Sequence, residues 1–596
     1  MENQTPSKDD LYRKFQTTCT DEFHLTAHHW QATVGAILLE AAVLENDIRH
    51  LCVRPTGGGK SLVFNVVALL LGDVTICICP LLSLGADQTK KTLALIDSPS
   101  PAPITAFHLD EMKLKSVYKL KSKLRDERNR DTAVVIYMSP RSLSTAKGKS
   151  LVPFLIRNDF IRLIVIDEIH LATSFGNTFR KEFGNLPDIL FKHIKCPMLF
   201  LTATCTDNIR HHFQRLMQLD INSLTWPSAN EMAHRSVSID TKYTTKPFQY
   251  VTKTFKAMIS DSDGNLPSKV IVYSNTRERI ITFAENIRKR MNSDVDMKDI
   301  DVITLIGTLT KEEKARLIRI FVNGSQQHPD LKIRLLCATS GVGNAGIDCP
   351  DVRAVYRIDF PPSILDMAQE KGRAGRRPGA SADDFHYILC YSLETYLYLF
   401  KRILEPADEH VNESFRRTQI SDLLQVAKVL ITPNTCIPHS LENLMGHPES
   451  DEVHDMPFCG ACTNCTQKKS EFEHISREGI TGILLDLFIS SSEELVFTLD
   501  NTVSYIMKYN DSQDLIFRTH RAKYEPLRIK KVLFQLITFE ILTVVYSSRL
   551  NKMLFQLARS GNNVFDISIN SDEVWDNIPT TITADNSDDD GDEFSM

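Results

Sequence analysis

The chain has 596 residues, 42% apolar and 24% charged, an ordinary globular composition that at roughly 150 residues per domain predicts about four domains. No run of 18 apolar residues occurs, which excludes a membrane-spanning helix of ordinary length. The formal net charge is −6, but the last twelve residues, "DNSDDDGDEFSM", hold six acids and no base, so the rest of the chain is neutral and any nucleic-acid binding must come from local patches.

The first residues, "MENQTPSKDD", are polar and lack the apolar centre of a signal peptide. An intracellular protein with mostly reduced cysteines is therefore expected. Nine of the 13 cysteines are scattered and read as small buried hydrophobes. Residues 1–20 are expected to be a flexible N-terminus. Helical patterns follow at Trp30 to Glu45 and Ser61 to Leu71. Between and after them stand short apolar runs at 50–54, 74–80, 133–139, 162–167 and 197–204. Such near-continuous runs suit strands buried on both faces of a parallel sheet, and their alternation with helices predicts an α/β domain over 21–230. The basic run at 113–130 reads as a solvated helix face before a phosphate-binding one. A linker is expected at about 220–245, where "DTKYTTKPF" breaks the pattern. A second set of runs, at 269–274, 301–307, 333–339, 354–360 and 386–391, predicts a second α/β domain over 231–400. Charged helical sequence leads on to a cysteine cluster at 401–470. A hairpin is expected around Tyr546 to Lys552, and 571–596 reads as an acidic disordered tail.

"RPTGGGKS" lies between a strand and a helix, the context of a phosphate loop. Backbone N–H groups of Thr56, Gly57, Gly58 and Gly59 would wrap phosphates, Lys60 would reach the β/γ-phosphates, and Ser61 would ligate Mg²⁺. Roughly 105 residues downstream, "LIVIDEIH" ends an apolar strand in Asp167 and Glu168. Asp167 suits the Mg²⁺ shell and Glu168 suits the base that orients the attacking water. Thr202 and Thr204, in "TATCT", end the next strand. "QEKGRAGRR" offers Gln369, Arg373 and Arg376, with the arginines three apart as on one helical face. Arg373 and Arg376 are candidates for trans-acting contacts to the γ-phosphate.

In this order "PTGGGKSLVF", "CPLLSLGADQ", "DEIH", "FLTAT", "ATSGVGNAGIDCPDVR" and "QEKGRAGR" resemble the motifs of superfamily 2 helicases, and within them the RecQ family of DNA helicases. The resemblance covers about 20–470. It implies two tandem RecA-like parallel-sheet domains, a helical zinc-binding subdomain and a winged-helix module over 471–570. It implies that ATP hydrolysis, with Mg²⁺, drives 3′-to-5′ translocation and unwinding of duplex DNA, in recombination, repair or replication. Gln31 matches the family's adenine-reading glutamine. "DEIHLATSFGNTFRKEF" matches the family's aromatic-rich loop, where Phe175, Phe179 and Arg180 would sense single-stranded DNA. Base stacking on aromatic faces suits that role. The loop departs from the family at Phe175 and Asn177, as does the chain at Ile306 and Arg377.

Cys459, Cys462 and Cys465 in "CGACTNC" need a fourth ligand for tetrahedral zinc. Cys436 stands upstream, with 22 residues between it and Cys459 across a polar stretch, and is the preferred partner; His439, His447 and His454 are rivals. Cys₄ coordination means structural zinc, and the family carries such a site. The expected partners are single-stranded and duplex DNA, with no membrane. The compartment is the nucleus if the source is eukaryotic, otherwise the cytoplasm. The competing readings are an RNA helicase and a DNA-binding scaffold with a silent motor.

Overall fold

The computed structural model describes residues 6–54, 58–79, 82–94, 104–126, 133–170, 182–203, 205, 207–226, 237–260, 269–293, 300–324, 333–340, 347, 349, 351–375, 385–405, 413–431, 436–444, 459, 462–466, 498–500, 502–504, 530, 533–534, 537–538, 542–547 and 552–557. Among them no helix is long and apolar enough to cross a membrane.

The first domain is a seven-stranded parallel sheet. Its strands are β1 (Arg49–Val53), β2 (Val74–Ile78), β3 (Ile104–His108), β4 (Ala133–Met138), β5 (Ile161–Ile166), β6 (Met198–Thr202) and β7 (Ser223–Thr225), in the spatial order β3-β4-β2-β5-β6-β1-β7. Successive residues of a strand point to opposite faces. Accordingly Val74, Ile76 and Ile78 of β2 enter one core while Cys77 and Cys79 enter the other, and β5 divides Ile164 and Ile166 from Leu163 and Val165 in the same way. Two apolar cores thus account for the unbroken apolar runs. Helices α1 (Lys8–Phe23), α2 (His29–Val43) and α3 (Lys60–Leu71) cover one face.

Helix α1 corrects the expectation of a flexible start. Leu11, Phe15, Cys19 and Phe23 recur every four residues and are buried, and Ser7 with Asp10 forms a capping box. The apolar stripe is sparse enough to be lost in a polar sequence, yet its spacing places it on one helical face. The basic run forms the helix Leu114–Asp126, which buries Val117, Leu120 and Leu124 and leaves Lys115, Lys119 and Lys123 exposed. This is the solvated face expected of it.

The second domain is a six-stranded parallel sheet of β8 (Ser238–Tyr243), β9 (Lys269–Ser274), β10 (Ile300–Leu305), β11 (Ile333–Thr339), β12 (Val352–Arg357) and β13 (His386–Tyr391), ordered β10-β11-β9-β12-β13-β8. Strand β8 lies inside the stretch read as linker. It is an edge strand and mostly half-buried, so it lacks the apolar run that marked the central strands. Helix Ile364–Lys371 follows β12, and helix Leu393–Leu404 follows β13.

Beyond it, helices Glu413–Ile431 and Ile437–Leu444 lead to the cysteines. Cys436, Ile437, Leu441 and Cys462 belong to the second domain's core. The expected hairpin is present as β14 (Leu542–Ser547) paired antiparallel with β15 (Lys552–Leu557). Just before it, Phe534 packs 4.9 Å from Tyr396 and 5.8 Å from Phe360, ring centre to ring centre, and Lys530 Nζ donates to Glu394 Oε1 at 2.6 Å. Most of the expected winged-helix segment, and the acidic tail, lie outside the described residues.

Candidate nucleotide and metal sites

In a parallel sheet the loops that follow the strand C-termini share one edge. Register places the key residues there. Val53 pairs with Thr202, and Ile78 with Ile166. Arg54 N donates to Thr202 O at 3.0 Å, and Asp167 N to Ile78 O at 3.0 Å. The start of the phosphate loop, the acidic pair and the threonine of "TATCT" therefore converge. Of that loop, Thr56 and Gly57 lie outside the described residues.

Gly59 caps α3 at φ +83°, a left-handed conformation that favours glycine. A Cβ there would stand 2.6 Å from Gln31 Nε2. Lys60 is buried and its Nζ donates to Arg54 O at 2.9 Å, folding the loop back on itself. Ser61 opens the first turn of the same helix. Gln31 is buried against the loop: its Nε2 donates to Gly59 O at 3.0 Å and its Oε1 accepts from His28 N at 2.7 Å. The adenine-reading candidate thus also braces the phosphate loop. The Arg54 guanidinium stacks 4.6 Å over the Trp30 ring, a brace that sequence reading missed.

Asp167 is buried, and burial first, then the Glu168 charge, pushes its carboxyl up to about 7, while Lys60 pulls it down. A buried carboxylate facing an ammonium at a phosphate loop fits a divalent cation, which would relieve that burial. Ser61 and Asp167 are the residues that would hold Mg²⁺, whose chemistry is to neutralise charge on the phosphates. Glu168 sits at φ +51°, uncommon for a residue with a side chain. Such strain costs about 1–3 kcal/mol and gathers at functional turns.

The residue that organises this edge is His170, quoted in "DEIH" but not singled out from the sequence. It is buried; Nδ1 lies 3.0 Å from Thr202 Oγ1 and 3.3 Å from Glu168 Oε2. Its Nε2 lies 2.6 Å from Nε2 of Gln369, in the second domain. The amide nitrogen of Gln369 can only donate, so His170 Nε2 accepts and Nδ1 carries the proton toward Thr202 and Glu168. Burial holds the ring below its ordinary pKa, which favours this neutral form. One imidazole therefore joins the acidic pair, the Thr202 strand end and the second domain.

Arg373 differs from expectation. The helix ends at Lys371, with Gly372 as its cap and Gly375 at φ +67°, so Arg373 lies beyond the helix end. Two glycines break the helix where spacing suggested continuity. Arg373 is buried and its Nη1 donates to Ile347 O at 2.6 Å, within its own domain. Arg376, Thr204, and the loop residues Phe175, Phe179 and Arg180 lie outside the described residues.

The four cysteines meet. The Sγ atoms of Cys436, Cys459, Cys462 and Cys465 lie within 4.8 Å of one another, with Cys462 and Cys465 at 3.3 Å and Cys459 and Cys465 at 3.8 Å. Tetrahedral zinc with Zn–S near 2.3 Å sets sulfurs about 3.8 Å apart, so the cluster fits it. The neighbouring Cys462 thiol, then burial, pushes Cys436 up to about 12, so metal binding must displace protons. Thr463, between the ligands, accepts a 2.8 Å hydrogen bond at Oγ1 from Thr241 N of edge strand β8. The knuckle thereby closes an open sheet edge.

Comparison with known proteins agrees with this layout. The DEAD/DEAH box helicase family matches residues 30–212, and the helicase conserved C-terminal domain matches 252–378. An "ATP-dependent DNA helicase RecQ" of Bacillus subtilis is 26% identical over 72% of this chain and 63% of its own length. An "ATP-dependent DNA helicase Q-like 2" of Arabidopsis thaliana is 24% identical over 86% of this chain and 65% of its own length. The chain thus spans under two thirds of either relative. Two RecA-like sheets, a phosphate loop and an acidic strand end define the class as superfamily 2 helicases. Within that class the relatives that the chain matches are RecQ DNA helicases, at 24–26% identity.

Proposed function

We propose that the protein is an ATP-dependent DNA helicase that moves 3′ to 5′ along one strand and separates the duplex. The observation that carries this reading is the Gln369–His170 hydrogen bond. It ties the second domain to the acidic pair of the first, and a motor needs such a link to convert hydrolysis into relative movement of its domains. Lys60, Ser61, Asp167 and Glu168 are intact for ATP with Mg²⁺, which argues against a silent motor. The cysteine cluster, built into the second domain's core, supports DNA over RNA as the substrate of a chain with this resemblance. Zinc would hold that cluster. Work in recombination, repair or replication, in the nucleus of a eukaryotic cell, belongs to the same proposal.

The test is ATP hydrolysis with and without single-stranded DNA, then unwinding of duplexes with 3′ or 5′ tails, with Lys60→Ala as control. DNA-stimulated turnover and preference for the 3′ tail are expected. Turnover stimulated by RNA alone would replace the DNA reading, and none at all would defeat the motor.

A further inference from the structure

We propose that Arg357 and Glu370 are positioning residues for hydrolysis, acting through Gln369 and Arg373 by fixing the rotation of the helix Ile364–Lys371. The proposal rests on the motor reading above.

Arg357 ends β12 and is fully buried. Its Nη1 donates to Glu370 Oε1 at 2.5 Å and to Ser340 Oγ at 2.6 Å. Its Nη2 donates to Asn275 Oδ1 and to Phe360 O, the latter at 3.2 Å. Its Nε faces Asp359 Oδ1 at 2.8 Å and Asp359 O at 3.2 Å. The second oxygen of each acid is also used. Asp359 Oδ2 accepts from Ser274 Oγ at 2.6 Å and Asn275 N at 2.8 Å, and Glu370 Oε2 accepts from Tyr387 OH at 3.1 Å. One planar fork therefore joins the C-terminal ends of β9, β11 and β12 to the helix that bears Glu370.

Burying this many charges is costly, and apolar packing often stabilises a core equally well, so the cluster is poor evidence of a stability device. A guanidinium differs from apolar packing in fixing direction, because its donors form a rigid plane. The direction it fixes is that of Glu370. Gln369 is the neighbouring residue, turned about 100° round the helix axis, and its amide reaches His170. On the other side Arg373 N donates to Glu370 O at 3.0 Å before its side chain ties to Ile347 O. With side chains at a radius of about 6 Å, a rotation of about 10° moves the Gln369 amide by about 1 Å. A displacement of that size at a reacting site can cost about 100-fold in rate.

The variants are Glu370→Gln, which keeps size and shape, and Arg357→Lys, which keeps charge but loses the fork. The measurement is DNA-stimulated ATP hydrolysis by the full chain. Each should lower kcat about 10- to 100-fold and leave KM for ATP within about threefold, because the nucleotide pocket lies in the first domain. Adding Gln369→Ala to Glu370→Gln should lower kcat little further. Hydrogen exchange should quicken in 364–375 and not in β2 or β4. Unchanged kcat, a raised KM alone, multiplying effects in the double variant, or exchange that quickens throughout the second domain overturns the proposal. If the unmodified chain hydrolyses no ATP, the motor reading falls separately. The exchange pattern then decides alone: faster exchange confined to 364–375 supports positioning, and unchanged exchange refutes it.

Discussion

Removing the Gln369 amide tests the link between the domains. Gln369→Ala deletes one hydrogen bond, a net loss of about 0.5–1.5 kcal/mol, and strands Nε2 of a buried histidine, a further desolvation cost that brings the total to about 1–3 kcal/mol. If the bond acts in the transition state, kcat falls about 5- to 150-fold at about 1.4 kcal/mol per tenfold. His170→Ala should cost at least as much, since it also frees Thr202 and Glu168. The assay is steady-state ATP hydrolysis at saturating single-stranded DNA for both single variants and the double. Because the two side chains share one bond, the double variant should be little worse than His170→Ala, with a coupling of about 0.5–3 kcal/mol. Effects that simply multiply would refute a functional bond between the domains.

Other outcomes follow from the same structure. The purified protein should hold about one zinc per chain, and Cys462→Ser should release it and speed hydrogen exchange in β8, which the knuckle caps through Thr463. Unchanged metal content would refute the site. Gly59→Ala forces a side chain into a left-handed position at a cost of about 1–2 kcal/mol and into contact with Gln31, so an ATP analogue should bind about tenfold more weakly by titration. His50 is buried between Ser223 and Thr225, and burial first, then the charge of Lys8, lowers its pKa to about 4 from 6.5. The unfolded chain binds that proton first. The site's stabilisation is therefore complete above pH 6.5 and is lost as pH falls toward 4, by up to about 3 kcal/mol. Denaturation of the protein and of His50→Gln over this range should converge at low pH; parallel curves would refute it.

Much of the architecture was legible because both sheets are covered on both faces. Central strands such as "KVIVYS" and "HYILCY" are apolar along most of their length, and the structure returns them at the same residues. Edge strands were harder to read. β3 alternates buried and half-buried residues, and β8 was lost in the supposed linker, because a strand covered on fewer sides needs fewer apolar residues. The chemistry of the phosphate loop and the acidic pair was legible for another reason: phosphate and metal binding demand particular residue types at short fixed spacing.

Relations between distant residues were not legible. Gln369 and His170 are 199 positions apart, and no periodicity links them. Arg373 reads in the sequence as a candidate γ-phosphate contact, and nothing there shows that its guanidinium lies on the Ile347 carbonyl. The cysteine spacing named three ligands and proposed a fourth; folding of the second domain's core brings Cys436 to the other three. Composition and local spacing set which groups are present and which strands can be buried, so both can be read along the chain. Which groups touch depends on folding, because a hydrogen bond or a metal cage is satisfied within a few tenths of an ångström and its partners arrive from separate elements.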